Sequence, residues 1–110
     1  MGKQFQRIED TTALDNLLSN SNARPVVVFK HSTSCPISAA AYREMQQLEN
    51  DVVIIEVQSA REVSRELANR TGIRHESPQV IIFRDGQAVW NASHYGVSAR
   101  EVAKILLTHG

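Results

Sequence analysis

Two short, continuous hydrophobic runs, residues 26–29 and 52–55, indicate strands that are buried on both faces, the second strand extending over residues 52–57. The first run follows Pro25, and both are rich in β-branched residues without polar alternation. Such runs are typical of central strands covered by helices on either side of a sheet. We therefore expect these two strands to lie in the middle of the fold.

The second half of the chain predicts an antiparallel strand pair. Residues 79–83 form a third predicted strand, and Ala88-Val89-Trp90 begins a fourth. Between them, Asp85-Gly86 is a strong hairpin signal, because both residue types tolerate the positive backbone angles of a tight turn.

Four helices are expected around these strands. The first begins at a cap among Asp10, Thr11 or Thr12 and ends in the polar stretch 19–22. The second begins at Pro36 and runs to about residue 50. Capping boxes open the third (Ser59 with Glu62) and the fourth (Ser98 with Glu101), and Gly72 ends the third. The apolar faces comprise Leu14, Leu17, Leu18, Ile37, Ala41, Met45, Leu48, Val63, Leu67, Val102, Ile105 and Leu106.

The element order is therefore α-β-α-β-α-β-β-α. Crossover helices make the first two strands parallel, and the hairpin makes the last two antiparallel. This order predicts an α/β protein with a thioredoxin-like fold, in which helices flank a four-stranded mixed sheet. With 110 residues, the chain is expected to form one domain over residues 1–110.

The composition excludes several classes of function. The 12 basic and 12 acidic residues balance and form no basic patch, so we expect no nucleic-acid partner. The hydrophobic runs fall far short of the roughly 20 residues that span a membrane. Residues 1–6 contain neither an apolar leader nor a myristoylation signal, so we expect a cytoplasmic protein. We also expect a monomer.

The chemistry centres on the single cysteine, Cys35. One cysteine can form neither an internal disulfide nor a cysteine zinc site, so no metal is expected and the partner of the thiol comes from outside the chain. Cys35 lies in a polar turn, and Pro36 suits the first position of a helix. A helix N-terminus favours the thiolate, which is the reactive form in disulfide exchange. Thr33 and Ser34 are expected to complete a polar, partly exposed site; the alternative is a buried, inert cysteine.

Ser38 stands three residues after Cys35, where a dithiol thioredoxin has its second cysteine. The second step of exchange therefore cannot be internal, and an adduct on Cys35 persists until an external thiol attacks it. We expect Ser38 Oγ to donate a hydrogen bond to the thiolate; alternatively, it is a serine on the helix surface.

The Ser77-Pro78 pair precedes the third predicted strand, where thioredoxin-like folds keep a cis-proline beside the active cysteine. The backbone N–H and C=O of Ser77 would then pair with a bound peptide-like thiol. His75 is expected either to favour the thiolate or to relay a proton, with loop solvation as the alternative. A weaker expectation places a ligand carboxylate at the start of the last helix, near residues 96–99.

Three segments together resemble the YtxJ-type monothiol bacilliredoxins: Ser-Thr-Ser-Cys-Pro-Ile-Ser at 32–38, His-Glu-Ser-Pro-Gln at 75–79 and Trp-Asn-Ala-Ser-His at 90–94. The resemblance covers nearly the whole chain. It implies a monothiol thiol-disulfide oxidoreductase that removes bacillithiol from mixed disulfides on cytoplasmic proteins, with Cys35 as the active cysteine. It implies no bound cofactor; bacillithiol, or a similar small thiol, is the co-substrate, and S-thiolated proteins are the partners.

Two other readings remain open. In a redox-sensing module, Cys35 is capped reversibly and the altered surface recruits a partner without turnover. In a purely structural interaction domain, the role of the protein survives Cys35→Ala. Turnover separates the enzyme from both.

Overall fold

The protein is described here by a computed structural model that covers residues 5–110. This part of the chain forms five strands and four α-helices, which alternate except that the fifth strand follows the fourth directly. They are β1 (Phe5–Arg7), α1 (Thr11–Asn20), β2 (Val26–His31), α2 (Pro36–Gln46), β3 (Val52–Glu56), α3 (Arg61–Thr71), β4 (Gln79–Arg84), β5 (Gln87–Ser93) and α4 (Ala99–His109). A short 3-10 turn, His94–Gly96, connects β5 to α4.

The strands form one mixed sheet in the order β1-β3-β2-β4-β5. β3 pairs with β2 in parallel and β4 pairs with β5 in antiparallel fashion, as predicted. β4 also pairs with β2 in antiparallel fashion, a pairing that was not predicted. The sheet has five strands rather than the four expected, because β1 adds a parallel edge beside β3. This strand has only three residues, two of them exposed, so it carries neither hydrophobic alternation nor a continuous apolar run.

A hydrophobic core covers each face of the sheet. On one face, Val27 and Phe29 of β2 pack with Met45 of α2 and Val102 of α4. On the other face, Val28 packs among residues of α1 and α3. Successive β2 side chains thus enter opposite cores, which confirms that β2 is a central strand.

Most of the predicted helix caps and the predicted turn are present in the structure. Asp10 caps α1 by accepting from the Ala13 N–H at 2.8 Å, and Ser98 caps α4. Asp85 and Gly86 both have positive φ, as the hairpin requires. The capping box predicted for α3 is wrong: the cap position is Ala60, and the Ser59 hydroxyl donates to the Glu56 carbonyl instead.

The parallel pairing of β2 and β3 places their carboxyl ends at one edge of the sheet. The turn that carries Cys35 follows β2, and the segment containing Gln58 follows β3, so the two connections are neighbours. Within residues 5–110, no helix is long and apolar enough to cross a membrane.

Candidate active site

Cys35 occupies the N-cap position of α2, with Pro36 in the first turn. The residue is partly exposed, and its thiol makes no capping hydrogen bond. The first helical bond runs from the Ala39 N–H to the Cys35 carbonyl at 3.0 Å, so the amides of the first turn have no helical acceptor. A negative charge on the sulfur would therefore lie at the positive end of the helix dipole.

Ser38 does not serve Cys35 in the expected way. Its side chain is fully buried, so it is not a surface serine either. Its Oγ accepts from the Ser32 N–H at 2.9 Å and lies 2.7 Å from His31 Nδ1. These contacts replace the expected hydrogen bond to the thiolate, and Ser38 instead holds the turn against β2.

The His31 ring is the second partner of Ser38 Oγ and helps to hold the turn against β2. It packs beside the rings of Phe29 and Tyr42, with centroids 5.2 and 5.1 Å away. Burial lowers the pKa of His31, and the negative charge of Glu56 opposes that shift. The imidazole is therefore neutral at pH 7. In the tautomer that carries the proton on Nε2, Nδ1 accepts from the Ser38 hydroxyl; in the other tautomer, Nδ1–H donates to it.

Gln58 holds the other side of the Cys35 turn. Its side-chain amide donates to Ser32 Oγ at 2.8 Å and to Ser34 Oγ at 3.1 Å, while its Oε1 accepts from the Thr33 N–H at 3.3 Å. The hydroxyl and backbone groups before Cys35 are thus used to fix the turn. Sequence reasoning missed Gln58; the available signal was its position just after β3, next to the end of β2.

The Ser77–Pro78 peptide bond is cis. Pro78 is buried, and the Ser77 N–H and C=O have no hydrogen-bond partner among residues 5–110. Ser77 Oγ is also buried without a partner in this part of the chain. The segment therefore presents unpaired backbone groups of the kind that an extended peptide could bind.

A buried lysine, also missed from sequence, supports this segment from β2. Lys30 has no exposed surface, and its Nζ donates to Gln79 Oε1 at 3.0 Å. The Gln79 amide in turn donates to the Arg74 carbonyl at 3.0 Å. Burial lowers the pKa of Lys30 to about 8, and the negative charge of Glu76 opposes the shift.

His75 contacts α3 rather than the cysteine. Its Nδ1 lies 3.1 Å from Ser64 Oγ. Partial burial lowers the pKa of His75, the positive charge of Lys30 lowers it further, and Glu76 opposes both. The ring is neutral at pH 7, so it supplies no positive charge that would favour the thiolate, contrary to one expected role.

The start of α4 is already occupied. The Ala99 N–H donates to the Glu44 carboxylate at 2.9 Å, and the Glu101 N–H donates to Ser98 Oγ. The weak expectation of a ligand carboxylate at this helix is therefore wrong, because Glu44 of α2 fills that position.

The fold and this site define a class: a thioredoxin-fold protein with a single, partly exposed cysteine at the start of α2. Solved structures agree. A chain described as a proposed oxidoreductase with a thioredoxin fold is 30% identical, with a TM-score of 0.85 and 91% of each chain covered. Thioredoxin from Fasciola hepatica has a TM-score of 0.76 at 15% identity, covering 96% of this chain and 99% of that one. A Schistosoma mansoni thioredoxin pre-protein has a TM-score of 0.73 at 17% identity, covering 98% and 100%.

The sequence model of the monothiol bacilliredoxin BrxC family matches residues 6–102. The chain belongs to this family, which confirms the resemblance found in the sequence. Family and fold together support a thiol oxidoreductase, with Cys35 as the only thiol of the chain.

Proposed function

We propose that this protein removes bacillithiol from mixed disulfides on cytoplasmic proteins, with Cys35 as the nucleophile. One observation carries the proposal: the only thiol of the chain is partly exposed at a helix N-terminus, and a buried serine occupies the position of a second cysteine. The chain can therefore accept a small thiol, but it cannot expel that thiol by itself.

The reaction consists of two exchanges. The Cys35 thiolate attacks the bacillithiol sulfur of the protein mixed disulfide; that disulfide breaks, a Cys35–bacillithiol disulfide forms, and the protein thiolate leaves and takes up a proton. A second bacillithiol, as thiolate, then attacks the bacillithiol sulfur of the adduct. Cys35 leaves as a thiolate, and bacillithiol disulfide is released, so the two electrons that reduce the protein come from bacillithiol.

The structure suggests how each reactant is held. The serine and glutamine contacts fix the turn before Cys35, so the sulfur is presented without a large rearrangement. The unpaired backbone groups of Ser77, on the segment where thioredoxin folds carry the cis-proline, are suited to the chain of the S-thiolated protein. The unpaired amides at the start of α2 favour the leaving Cys35 thiolate in the second step.

Turnover is the decisive test. A bacillithiolated protein is incubated with wild type or with Cys35→Ala at a small fraction of its concentration, with free bacillithiol present, and both proteins are followed by intact mass. We expect the substrate thiol to be freed in excess over the enzyme, with the adduct seen only on wild type. An adduct without turnover would favour the sensing module, and no adduct would overturn the proposal. If only a glutathionylated substrate reacts, the exchange chemistry stands and the choice of thiol is wrong.

A further inference from the structure

A cleft of about 580 Å³ opens beside the turn that carries Cys35. It lies between that turn, the segment after β3 and the outer face of α3. Its polar lining consists of Ser32, Gln58, Arg61, Ser64, Arg65, Asn69 and His75. We call it the arginine cleft. Its volume is within the range that holds small ligands.

The charges in the arginine cleft have one sign. Arg61 and Arg65 are exposed, neither forms an ion pair within residues 5–110, and no carboxylate lines the cleft. Other clefts of the molecule differ. One contains Asp51 as well as Arg24, and another contains Arg7 in an ion pair with Glu56. The arginine cleft is therefore positively charged without internal compensation.

Arg61 and Arg65 lie on the same face of α3, near its N-terminus. They are four residues apart on α3, which places them on neighbouring turns of the same face. The start of α3 has no side-chain cap, unlike α1 and α4, which Asp10 and Ser98 cap. The helix dipole therefore adds to the attraction that the guanidinium groups exert on an anion.

The arginine cleft adjoins the turn that carries Cys35. Ser32 belongs both to the cleft and to the turn before Cys35. Gln58, a second lining residue, donates to Ser34, the immediate neighbour of Cys35. A ligand whose sulfur is bonded to Cys35 can thus extend over Gln58 toward Arg61 and Arg65.

We propose that the arginine cleft binds the carboxylate-bearing end of the small thiol that is transferred through Cys35. This inference rests on the proposed function. Bacillithiol fits the lining chemically: its cysteinyl thiol is at one end and the two carboxylates of its malyl group are at the other. The sugar hydroxyls between them suit the exposed, neutral amide of Asn69.

The test measures the rate of Cys35 modification by two disulfides. Bacillithiol disulfide carries the carboxylates, and hydroxyethyl disulfide is uncharged. The ratio of the two rate constants is compared between wild type, Arg61→Gln/Arg65→Gln and the control Arg24→Gln/Arg43→Gln. The control removes the same charge from two exposed arginines that lie outside the cleft and form no ion pair in the described chain.

We expect the ratio to fall at least about fivefold in the cleft variant, because it loses both charges that face the carboxylates, and to stay within about twofold of wild type in the control. Added salt should lower the wild-type ratio and leave that of the cleft variant nearly constant. Urea denaturation checks that both variants are folded.

The outcomes separate the two proposals. If wild-type Cys35 reacts readily with bacillithiol disulfide and the ratio is the same in the cleft variant, the cleft assignment is overturned and the proposed function stands. If wild type reacts with hydroxyethyl disulfide but not with bacillithiol disulfide, the proposed function fails, and the cleft assignment fails with it.

Discussion

Replacing Ser38 with alanine removes the hydroxyl that fastens the Cys35 turn to the end of β2. The fully buried Ser38 Oγ accepts from the Ser32 N–H and bonds His31 Nδ1. Alanine leaves the Ser32 amide without an acceptor, which costs about 1–3 kcal/mol, and loses a side-chain hydrogen bond of about 1 kcal/mol. We therefore expect Ser38→Ala to lower the free energy of unfolding by about 2–4 kcal/mol.

Ser64 provides a matched control, because it too is a buried helical serine bonded to a histidine Nδ1. It accepts no backbone N–H, so Ser64→Ala should cost only about 1 kcal/mol. Urea denaturation at pH 7 measures both. With a slope of about 1–3 kcal/mol per M, Ser38→Ala should shift the midpoint by about 1 M or more. Equal losses in the two variants would refute the anchoring role assigned to the Ser32 amide.

Three further predictions concern the site and the strand that supports it. Helix geometry places the Cα atoms of residues 35 and 38 about 5 Å apart, within the range of a disulfide. In Ser38→Cys, the new thiol should therefore displace bacillithiol from Cys35, and intact mass should show an internal disulfide. A lasting bacillithiol adduct would contradict this prediction. Because the pKa of Lys30 is lowered to about 8 in the folded state, the unfolded chain binds more protons between pH 8 and 10.5, and stability should rise across that window by at most about 3 kcal/mol. Denaturation of wild type and Lys30→Met at several pH values checks this rise, which should be missing in the variant. Glu44→Gln replaces the charged acceptor of the Ala99 N–H with a neutral one, so thermal unfolding should show a loss of about 0.5–1 kcal/mol, and an unchanged midpoint would rule out a role for that carboxylate.

Local signals in the sequence predicted most of the fold. The apolar runs of β2, β3 and β4 are dictated by burial on both faces, and the Asp85-Gly86 turn is dictated by backbone sterics. Both effects depend on residues close together in the chain. β1 was not predicted, because it has only three residues and its pairing partner, β3, lies far along the chain.

The capping of α3 shows the limit of such local rules. Ser59 and Glu62 have the spacing of a capping box, yet the turn after β3 directs the Ser59 hydroxyl to the Glu56 carbonyl. The way the chain leaves the sheet therefore places Ala60, not Ser59, at the N-cap position.

Some features of the candidate active site could likewise be predicted from the sequence, and others depend on how the chain packs. The solitary Cys35, its place before Pro36 and the serine three residues later are facts of the chain, and they were enough to predict single-thiol exchange. The partners of Ser38, the glutamine that holds the turn, the buried Lys30 and the positively charged cleft arise only when β2, β3 and α3 are packed together. Hydrogen bonds and charge clusters between distant segments depend on three-dimensional proximity, which no local pattern in the sequence encodes.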